Sequence, residues 1–373
     1  MNQIDIKALR EELAQVLSRK FDDSHGVAIY GAGDTAERIV VPFMEEIEVS
    51  RNLIRFFIDD TPSKQGTFFH GKPVITLEKA RTVCKGLPVL ICSAVPQSRD
   101  IMERTLRSHL IEGSEYGIWD EYVLCKHMQE VLAVFDMLED DFSKETYANI
   151  LLFRMKKAQQ DFALVQRDHQ YFALPEFMKD LYYQEVFVDC GAFIGDTIEN
   201  YLKERGGVFQ KIYAFEPNNS IYEALSVRME RIRREWNIPE GKIELIHAGI
   251  GEKECQIQDP ADMKETPDDS RFVILNQAEV EKGGIQICSI DGYFANNSIS
   301  FLKADIEGFE NQMLYGAEYV IRRDQPKMAI CLYHSPFDMY RIALKIKELC
   351  PSYKFAIRQH AYTINETVLY AYI

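Results

Sequence analysis

The segment 186–197, VFVDCGAFIGDT, is the feature that most constrains this chain. An apolar run that ends near Asp189 is followed by Gly191 and Gly195, and then by Asp196 and Thr197, which are good residues for a helix start. This order predicts a strand, a tight turn and a helix, the first unit of a parallel α/β sheet. In such sheets the loop after the strand lies at the edge where ligands bind.

A second apolar run, residues 212–215, ends in Glu216, Pro217 and Asn218. An acid at the end of the second strand can accept hydrogen bonds from both ribose hydroxyls of an adenosine. The first loop has one glycine fewer than a dinucleotide fingerprint, and Asp196 follows its last glycine. These features favour a ligand without a pyrophosphate and point to S-adenosylmethionine.

We expect the cofactor to contact this loop, the end of the second strand and the edge of a third strand, residues 242–246. The glycines would let the backbone approach the ligand closely, and small residues after the third strand would leave room for an adenine. Helix capping is the competing role for Asp196 and Thr197. The expected cofactor-binding residues are Asp189, Gly191, Ala192, Gly195, Asp196, Thr197, Glu216, Pro217, Asn218 and Ala248.

Charge and composition exclude several classes of protein. With 58 acidic and 43 basic residues, the formal charge is -15, which argues against a nucleic-acid or anionic-membrane surface. The basic residues at 228–234 are typical of a solvated helix face. No apolar run approaches about 18 residues, and the N-terminus resembles an amphipathic helix rather than a signal peptide. Eight scattered cysteines without a C-x-x-C pair predict reduced thiols, a cytoplasmic protein and no zinc site.

The N-terminal part carries a weaker version of the same pattern. A strand at 27–30 leads into GAGDTA at 31–36, and a strand at 54–58 ends in Asp59 and Asp60. This alternation predicts a parallel sheet. GxGxxA followed by an acid could be a dinucleotide site, or the glycines could serve only a tight turn and close helix packing.

Residues 126–183 show helical periodicity and predict a packed bridge between two domains. A set of aromatic residues lies in its second half. We interpret these residues as core or domain-interface packing, with a role in covering the cofactor as the alternative. They are Tyr171, Phe172, Phe177, Tyr182 and Tyr183.

Two later strands deliver polar residues to the same sheet edge. Residues 299–304 precede Asp305 and Glu307, and the next strand ends at His334. Methyl transfer to a hydroxyl needs a proton acceptor, and an imidazole with a pKa of about 6.5 suits that role. Asp305 or Glu307 could serve instead, or could hold a divalent cation, although we predict no metal.

Each of these residues also has a purely structural interpretation. Asp305 could orient loop amides, Glu307 could pair with a neighbouring cation, and His334 could be a hydrogen-bonded strand-end residue. His360 is a weaker second histidine candidate. Residues 270–271, Ser-Arg, are more typical of a surface loop than of a substrate contact.

The C-terminal half resembles the FkbM family of S-adenosylmethionine-dependent methyltransferases. The matching segments cover about 185–373 in family order: EVFVDCGAFIGDT, IYAFEPNNSIYEAL, SIDGYF, FLKADIEGFENQMLYGAEYVI, PKMAICLYH and ETVLYAYI. The resemblance implies O-methylation, often of sugar or polyketide hydroxyls. It implies that Asp189, Gly191, Gly195 and Glu216 hold the methionine and ribose ends of the cofactor, with Asp305 beside the methyl group.

The N-terminal part, through residues 56–80, resembles small Rossmann-like domains found beside enzymes that modify nucleotide-linked sugars. We therefore expect an α/β protein with two Rossmann-like domains, at 1–125 and 184–373, joined by a helical segment at 126–183. The second should have the class I methyltransferase fold, a seven-stranded mostly parallel sheet that ends in an antiparallel hairpin.

The expected activity is S-adenosylmethionine-dependent O-methylation of a sugar, glycan or polyketide-like acceptor. Expected partners are a small-molecule or glycan acceptor, with no nucleic acid and no membrane, and homo-oligomerisation is left open. The alternatives are an NAD-linked oxidoreductase that uses GAGDTA, although no catalytic Tyr-Lys pair is evident, and a non-catalytic ligand-binding protein.

Overall fold

The computed structural model describes residues 5–46, 53–93, 95–109, 111–156, 162–178, 182–257 and 284–373. Contacts divide the chain into two units. The first consists of residues 1–132, 148–159 and 335–337, and the second of residues 133–147, 160–334 and 338–373. The domain boundaries expected at 125 and 183 stay predictions.

The first unit is built on a six-stranded sheet. Its strands are β1 Val27–Tyr30, β2 Ile54–Ile58, β3 Phe68–Phe69, β4 Lys72–Ile75, β5 Val89–Ile91 and β6 Tyr116–Ile118. Their order is β3-β4-β2-β1-β5-β6, and every neighbouring pair is parallel except β3 and β4. The order reverses at β1, which is the arrangement of doubly wound sheets that we expected.

Helices alternate with these strands along the chain. The helices are α1 Ile6–Leu17, α2 Asp34–Ile39, α3 Val41–Glu46, α4 Leu77–Val83, α5 Pro96–His109 and α6 Trp119–Lys126. The predicted helical bridge contains α7 Met128–Met137 and α8 Asp141–Arg154, followed by 3-10 helices at Phe162–Leu164, Pro175–Met178 and Tyr182–Gln184.

The second unit holds a seven-stranded sheet and a separate three-stranded sheet. The large sheet contains β7 Val186–Cys190, β8 Lys211–Phe215, β9 Ile243–Ile246, β13 Phe301–Ala304, β14 Lys327–Cys331, β15 Lys354–Gln359 and β16 Thr367–Tyr372. Its order is β15-β16-β14-β13-β7-β8-β9, and only the pairs that involve β16 are antiparallel. The predicted mostly parallel sheet with a C-terminal hairpin is confirmed.

The small sheet contains β10 Gly249–Ile250, β11 Cys255–Ile257 and β12 Ile285–Cys288. Along the chain, its strands lie between the third and fourth strands of the large sheet, β9 and β13. Helices of this unit are α9 Asp196–Arg205, α10 Asn219–Glu235, α11 Ile290–Tyr293, α12 Glu310–Tyr315, α13 Glu318–Asp324 and α14 Asp338–Leu349.

Aromatic side chains fill the core under the large sheet. Tyr171, Phe172 and Phe177 are buried there, and both phenylalanine rings pack edge-on against Phe301 of β13. Tyr183 is exposed, and the side chain of Tyr182 lies outside the described part of the structure. Three of the five predicted aromatics are therefore core residues. Within the described residues, no helix combines the length and the apolar character needed to span a membrane.

Candidate functional site

The loop after β7 is fixed by two glycines with left-handed backbones. A Cβ on Gly191, whose φ is +79°, would lie 1.9 Å from the carbonyl oxygen of Asp305. A Cβ on Gly195, whose φ is +83°, would lie 2.4 Å from the Met229 side chain. Both positions therefore require glycine because the loop packs against its own chain. We expected these glycines to let the backbone approach a ligand closely. The atoms nearest to their Cβ positions belong instead to the protein, to Asp305 and Met229.

Helix α9 begins directly after this loop. Gly195, rather than Asp196 or Thr197, occupies the N-cap position. Asp196 is the first helical residue, so a side-chain capping role does not account for it. Phe193, between the glycines, also has a positive φ of 47°. A left-handed aromatic residue is rare and concentrates at ligand-binding loops.

Glu216 binds the loop to the end of β8. Its buried carboxylate accepts hydrogen bonds from the backbone N–H of Phe193 at 3.0 Å and of Asn218 at 2.8 Å. Burial raises the pKa of Glu216, and the two amides act in the opposite direction. Asn218 caps α10 by accepting from the N–H of Ile221 at 3.1 Å. The predicted ribose acid therefore also holds the loop in place.

Asp189, at the end of β7, forms a buried ion pair with Lys303 at 2.9 Å. Burial raises the pKa of Asp189 to about 6, so the carboxylate is charged at neutral pH. Burial alone would lower the pKa of Lys303, but the charges of Asp189 and Asp305 raise it above the ordinary range. Within the described residues, Asp189 Oδ2 has no hydrogen-bond partner. A buried acceptor of this kind fits the ammonium group of an amino-acid ligand such as S-adenosylmethionine.

Asp305 follows β13, and its carboxylate is surrounded by hydrogen-bond donors. The hydroxyl of Tyr171 donates to Oδ2 at 3.0 Å, and that of Tyr333 donates to Oδ1 at 2.8 Å. Burial opposes the charge of Asp305, but Lys303, His334 and the two hydroxyls hold its pKa below the ordinary value. The backbone of Tyr171 is left-handed, with a φ of 67°. Asp305 is thus an ionised group with a fixed orientation beside the glycine loop that follows β7.

His334 lies among three carboxylates. Its Nδ1 is 3.1 Å from Glu310 Oε1, and its Nε2 is 3.5 Å from Asp305 Oδ1 and 3.9 Å from Glu307 Oε2. Burial alone would lower the pKa of His334, but the carboxylates, above all Glu310, raise it to about 10. The imidazole is therefore charged at neutral pH and cannot accept a proton in this state. This corrects our expectation of a histidine base with a pKa near 6.5.

The sequence interpretation missed three residues of the site. Lys303 had a usable signal, since a lysine inside an apolar strand needs a buried partner. Glu310 was not among the predicted site residues, yet it is fully buried and accepts a hydrogen bond from the N–H of Ile306 at 2.9 Å. Tyr171 was interpreted as a packing residue. Its ring does pack in the core, but its hydroxyl also donates a hydrogen bond to Asp305.

The remaining predicted residues either lie away from Asp305 and His334 or have a structural role. His360 is hydrogen-bonded to the carbonyl of Arg167 at 2.7 Å and the hydroxyl of Tyr370 at 2.8 Å. Burial lowers the pKa of His360 to about 4, which makes it a neutral structural residue. Ala248 is buried after β9. Residues 270–271 lie outside the described residues.

The GAGDTA loop of the first unit borders a cleft of about 320 Å³ at the carboxyl edge of β1 and β5. Asp59 accepts from the N–H of Ala32 at 2.9 Å, and the ammonium of Lys64 donates to the carbonyl of Ala32 at 2.9 Å. A Cβ on Gly31 would lie 2.5 Å from the carbonyl oxygen of Cys92. Gly31 therefore serves a tight turn and close packing, as in one of the two interpretations of the sequence.

Comparisons with known proteins bear on the second unit. Residues 189–362 match the family model described as the Methyltransferase FkbM domain. A methyltransferase FkbM structure from Methylobacillus flagellatus KT covers 98% of both chains at 19% identity, with a TM-score of 0.56. This similarity confirms the predicted fold. No curated protein matches the chain.

Two further solved structures are similar over about half of this chain. An rRNA methylase from Streptococcus thermophilus covers 55% of this chain and 96% of its own, at 14% identity and a TM-score of 0.32. Fibrillarin from Aeropyrum pernix, with natively bound S-adenosyl-L-methionine, covers 54% of this chain and 73% of its own, at 13% identity and a TM-score of 0.29.

Proposed function

We propose that this S-adenosylmethionine-dependent methyltransferase, which carries an FkbM domain at residues 189–362, methylates a hydroxyl of a sugar, glycan or polyketide-like acceptor. The main support for this proposal is the position of Asp305. Its carbonyl oxygen lies against Gly191 of the cofactor loop, and its carboxylate lies 3.5 Å from the imidazole of His334. An ionised carboxylate and a charged imidazole next to the cofactor loop suit an acceptor oxygen that must lose a proton.

Different residues of the chain have different roles in this reaction. S-adenosylmethionine, when bound, supplies the methyl group as a sulfonium electrophile. Glu216 and Asp189 are the acceptors for its ribose hydroxyls and its ammonium. Asp305 and Glu307 are the carboxylates that can hydrogen-bond the acceptor hydroxyl and take its proton. His334, being charged, would donate a hydrogen bond that keeps the acceptor oxygen in line.

The chemistry of the site also supports a polyhydroxylated acceptor. Glu307 is 59% exposed, whereas Asp305 is 21% exposed, so the cluster opens to solvent on the Glu307 side. Carboxylates accept hydrogen bonds from neighbouring hydroxyls, and a sugar presents such hydroxyls in pairs. A cytoplasmic location and a small-molecule or glycan partner are part of the same proposal. The eight free cysteines support the location.

A labelled methyl donor tests the proposal. The protein is incubated with trideuteromethyl S-adenosylmethionine and a panel of nucleotide sugars, oligosaccharides and polyketide alcohols, and products are identified by mass spectrometry. We expect a labelled methyl ether on a hydroxyl. Asp305→Asn keeps the side-chain shape, so it should lose about a hundredfold in turnover or more while S-adenosylhomocysteine binding changes little. A label found only on nitrogen or carbon would reject the proposal.

A further inference from the structure

We propose that Glu366 is a further catalytic residue, whose carboxylate receives the proton of the acceptor hydroxyl. The assignment rests on the proposed methyl transfer to a hydroxyl and deepens it by naming the group that takes the proton. Glu366 lies outside the residues that match the family model, 189–362, and it was not among the site residues expected from the sequence. Asp305 and Glu307 keep their role as hydrogen-bond acceptors.

Glu366 lies at the sheet edge that carries Asp305 and His334. It directly precedes β16, which is antiparallel to β14, so the start of β16 lies beside the end of β14. A carboxylate oxygen of Glu366 lies within 4.8 Å of a carboxylate oxygen of Asp305. Two carboxylates at this separation can contact the same acceptor, because a hydrogen bond between two oxygens spans about 2.7 Å.

The carboxylate of Glu366 has a defined position and access to water. The side-chain amide of Gln170 donates a hydrogen bond to its Oε2, and its backbone carbonyl accepts from the N–H of His360 at 3.0 Å. The backbone of Glu366 is left-handed, with a φ of 63°, which is uncommon for a residue with a long side chain. Glu366 is half-buried, so a proton that it takes up can pass on to water.

Electrostatics distinguish Glu366 from Asp305 as a base. Both oxygens of Asp305 accept hydrogen bonds from hydroxyls, and Lys303 and His334 add to their effect, so the pKa of Asp305 lies below the ordinary value. A carboxylate that is stabilised in this way is a weak base. Burial and the charge of Asp305 raise the pKa of Glu366, whereas Gln170, His334 and Lys303 act in the opposite direction. A carboxylate with a raised pKa holds a proton more strongly and is the better general base.

Three further ionisable side chains lie near Glu366, and they add no charge to the cluster. Burial raises the pKa of each of them, so all three are uncharged at neutral pH. They are Tyr171, Cys331 and Tyr333.

A buried donor beside the two carboxylates indicates where the acceptor oxygen binds. The side chain of His334 is only 9% exposed, and in the described part of the chain its Nε2 has no hydrogen-bond partner. Buried polar atoms are nearly always satisfied, so an oxygen of a ligand is the partner expected there. Nε2 lies 3.5 Å from Oδ1 of Asp305. An oxygen that accepts from His334 is therefore beside the pair of carboxylates.

The proposed step moves one methyl group and one proton. A lone pair of the acceptor oxygen forms the bond to the methyl carbon, and the carbon–sulfur bond breaks with its electron pair remaining on sulfur. The oxygen–hydrogen bond breaks, and its proton moves to an oxygen of Glu366. His334 stays protonated and donates its hydrogen bond to the acceptor oxygen. The products are a methyl ether, S-adenosylhomocysteine and a protonated Glu366, which returns its proton to water.

Glu366→Gln tests the role, since it keeps the shape of the side chain and can still accept the hydrogen bond of Gln170. With an acceptor identified by the labelled methyl donor, kcat should fall about a hundredfold or more, while S-adenosylhomocysteine binding stays nearly unchanged. The wild-type kcat should rise with pH along a limb above the ordinary pKa of a glutamate, and this limb should be absent in Glu366→Gln. Gln170→Leu should move the limb to higher pH, because the amide of Gln170 lowers the pKa of Glu366.

Infrared difference spectra between the wild type and Glu366→Gln, recorded across pH without the methyl donor, report the protonation of Glu366 independently of turnover. The carboxyl band should persist above the pH at which an ordinary glutamate ionises. Glu139→Gln, which changes an exposed acid, is the matched control and should alter neither kcat nor its pH dependence.

Several results would overturn the role of Glu366. If Glu366→Gln forms the labelled methyl ether as fast as the wild type, Glu366 is not the base and the proposed function stands. A loss of kcat that is equal at every pH would make Glu366 a structural residue. Ionisation of Glu366 at or below the ordinary glutamate pKa would also reject the assignment. A label found only on nitrogen or carbon would overturn the proposed function and this role together.

Discussion

Lys303 of β13 and Asp189 of β7 stand opposite each other in the parallel register and form an ion pair of 2.9 Å in the interior of the sheet. Neither side chain is more than 2% exposed. Lys303 also donates to the carbonyl of Gly191 at 2.7 Å. One buried ammonium therefore connects the strand that precedes Asp305 with the loop that is predicted to bind the cofactor.

Replacing Lys303 by Met should be strongly destabilising, because the change leaves a charged carboxylate buried without a partner. Removing one member of a buried pair costs about 3–5 kcal/mol. We expect a loss of that size in the free energy of unfolding, measured by urea denaturation, together with weaker S-adenosylhomocysteine binding. The double variant Lys303→Met, Asp189→Leu should be more stable than Lys303→Met alone.

Arg231 on α10 supplies the control, since it forms an exposed ion pair with Glu235 at 3.2 Å. Arg231→Met should cost less than about 0.5 kcal/mol, as exposed helix pairs usually do. If Lys303→Met costs no more than Arg231→Met, the buried pair does not stabilise the loop.

Glu216→Ala should weaken the binding of S-adenosylhomocysteine by about 10- to 100-fold, because the carboxylate holds the N–H of Phe193 and is the predicted ribose acceptor. Charge-assisted hydrogen bonds of this kind are worth about 1.5–3 kcal/mol. Calorimetric titration measures the change. Glu223→Ala, an exposed acid of α10, is the comparison. Equal affinity in Glu216→Ala and wild type would remove Glu216 from the cofactor site.

The local sequence was sufficient to predict the large sheet, at whose edge the candidate site lies. The strand at 186–190 and the glycine turn after it are defined by neighbouring residues, since an apolar run and two glycines leave few other conformations. The order of acids at strand ends likewise follows from βα alternation. These elements could be predicted because strand and turn formation depend on residues close in sequence, whereas the packing of Gly191 against Asp305 and of Gly195 against Met229 does not.

The charges of the site could not be predicted in the same way. The pKa of His334 depends on Glu310, which lies 24 positions earlier in the chain, and on carboxylates gathered from a different strand end. Likewise, the pairing of Lys303 with Asp189 depends on strand register across more than a hundred residues. Periodicity does not specify such distances, so an ordinary histidine pKa was a wrong starting point.

Tyr171→Phe should reduce methyl transfer about tenfold while leaving S-adenosylhomocysteine affinity nearly unchanged. The hydroxyl that is lost donates to Asp305 at 3.0 Å, and a hydrogen bond to a charged group is worth about 1.5–3 kcal/mol. Steady-state kinetics should show the effect in kcat more than in the KM of the cofactor. Tyr183→Phe, an exposed tyrosine, is the control. A loss confined to the cofactor KM would instead make Tyr171 a cofactor-binding residue.

His360 should make the protein less stable as the pH falls. Burial lowers the pKa of His360 to about 4, whereas the unfolded chain takes up this proton near pH 6.5. The folded state therefore binds fewer protons in this window, and stability is fully present above pH 6.5 and declines toward pH 4. Relative to His360→Gln, the wild type should lose about 2 kcal/mol of unfolding free energy between pH 7 and 4.5. A difference that is independent of pH would contradict the buried neutral state.

The GAGDTA loop is expected not to bind NAD, which separates the methyltransferase from the oxidoreductase alternative. The N–H of Ala32 already donates a hydrogen bond to Asp59, and the ammonium of Lys64 donates one to the carbonyl of Ala32. The following helix has six residues, with Asp34 and Glu37 in its first turn, an unfavourable setting for a pyrophosphate. Calorimetry should therefore show saturable S-adenosylhomocysteine binding and no NAD binding up to about 1 mM. Saturable NAD binding that is lost in Gly33→Val would restore a dinucleotide role for this loop.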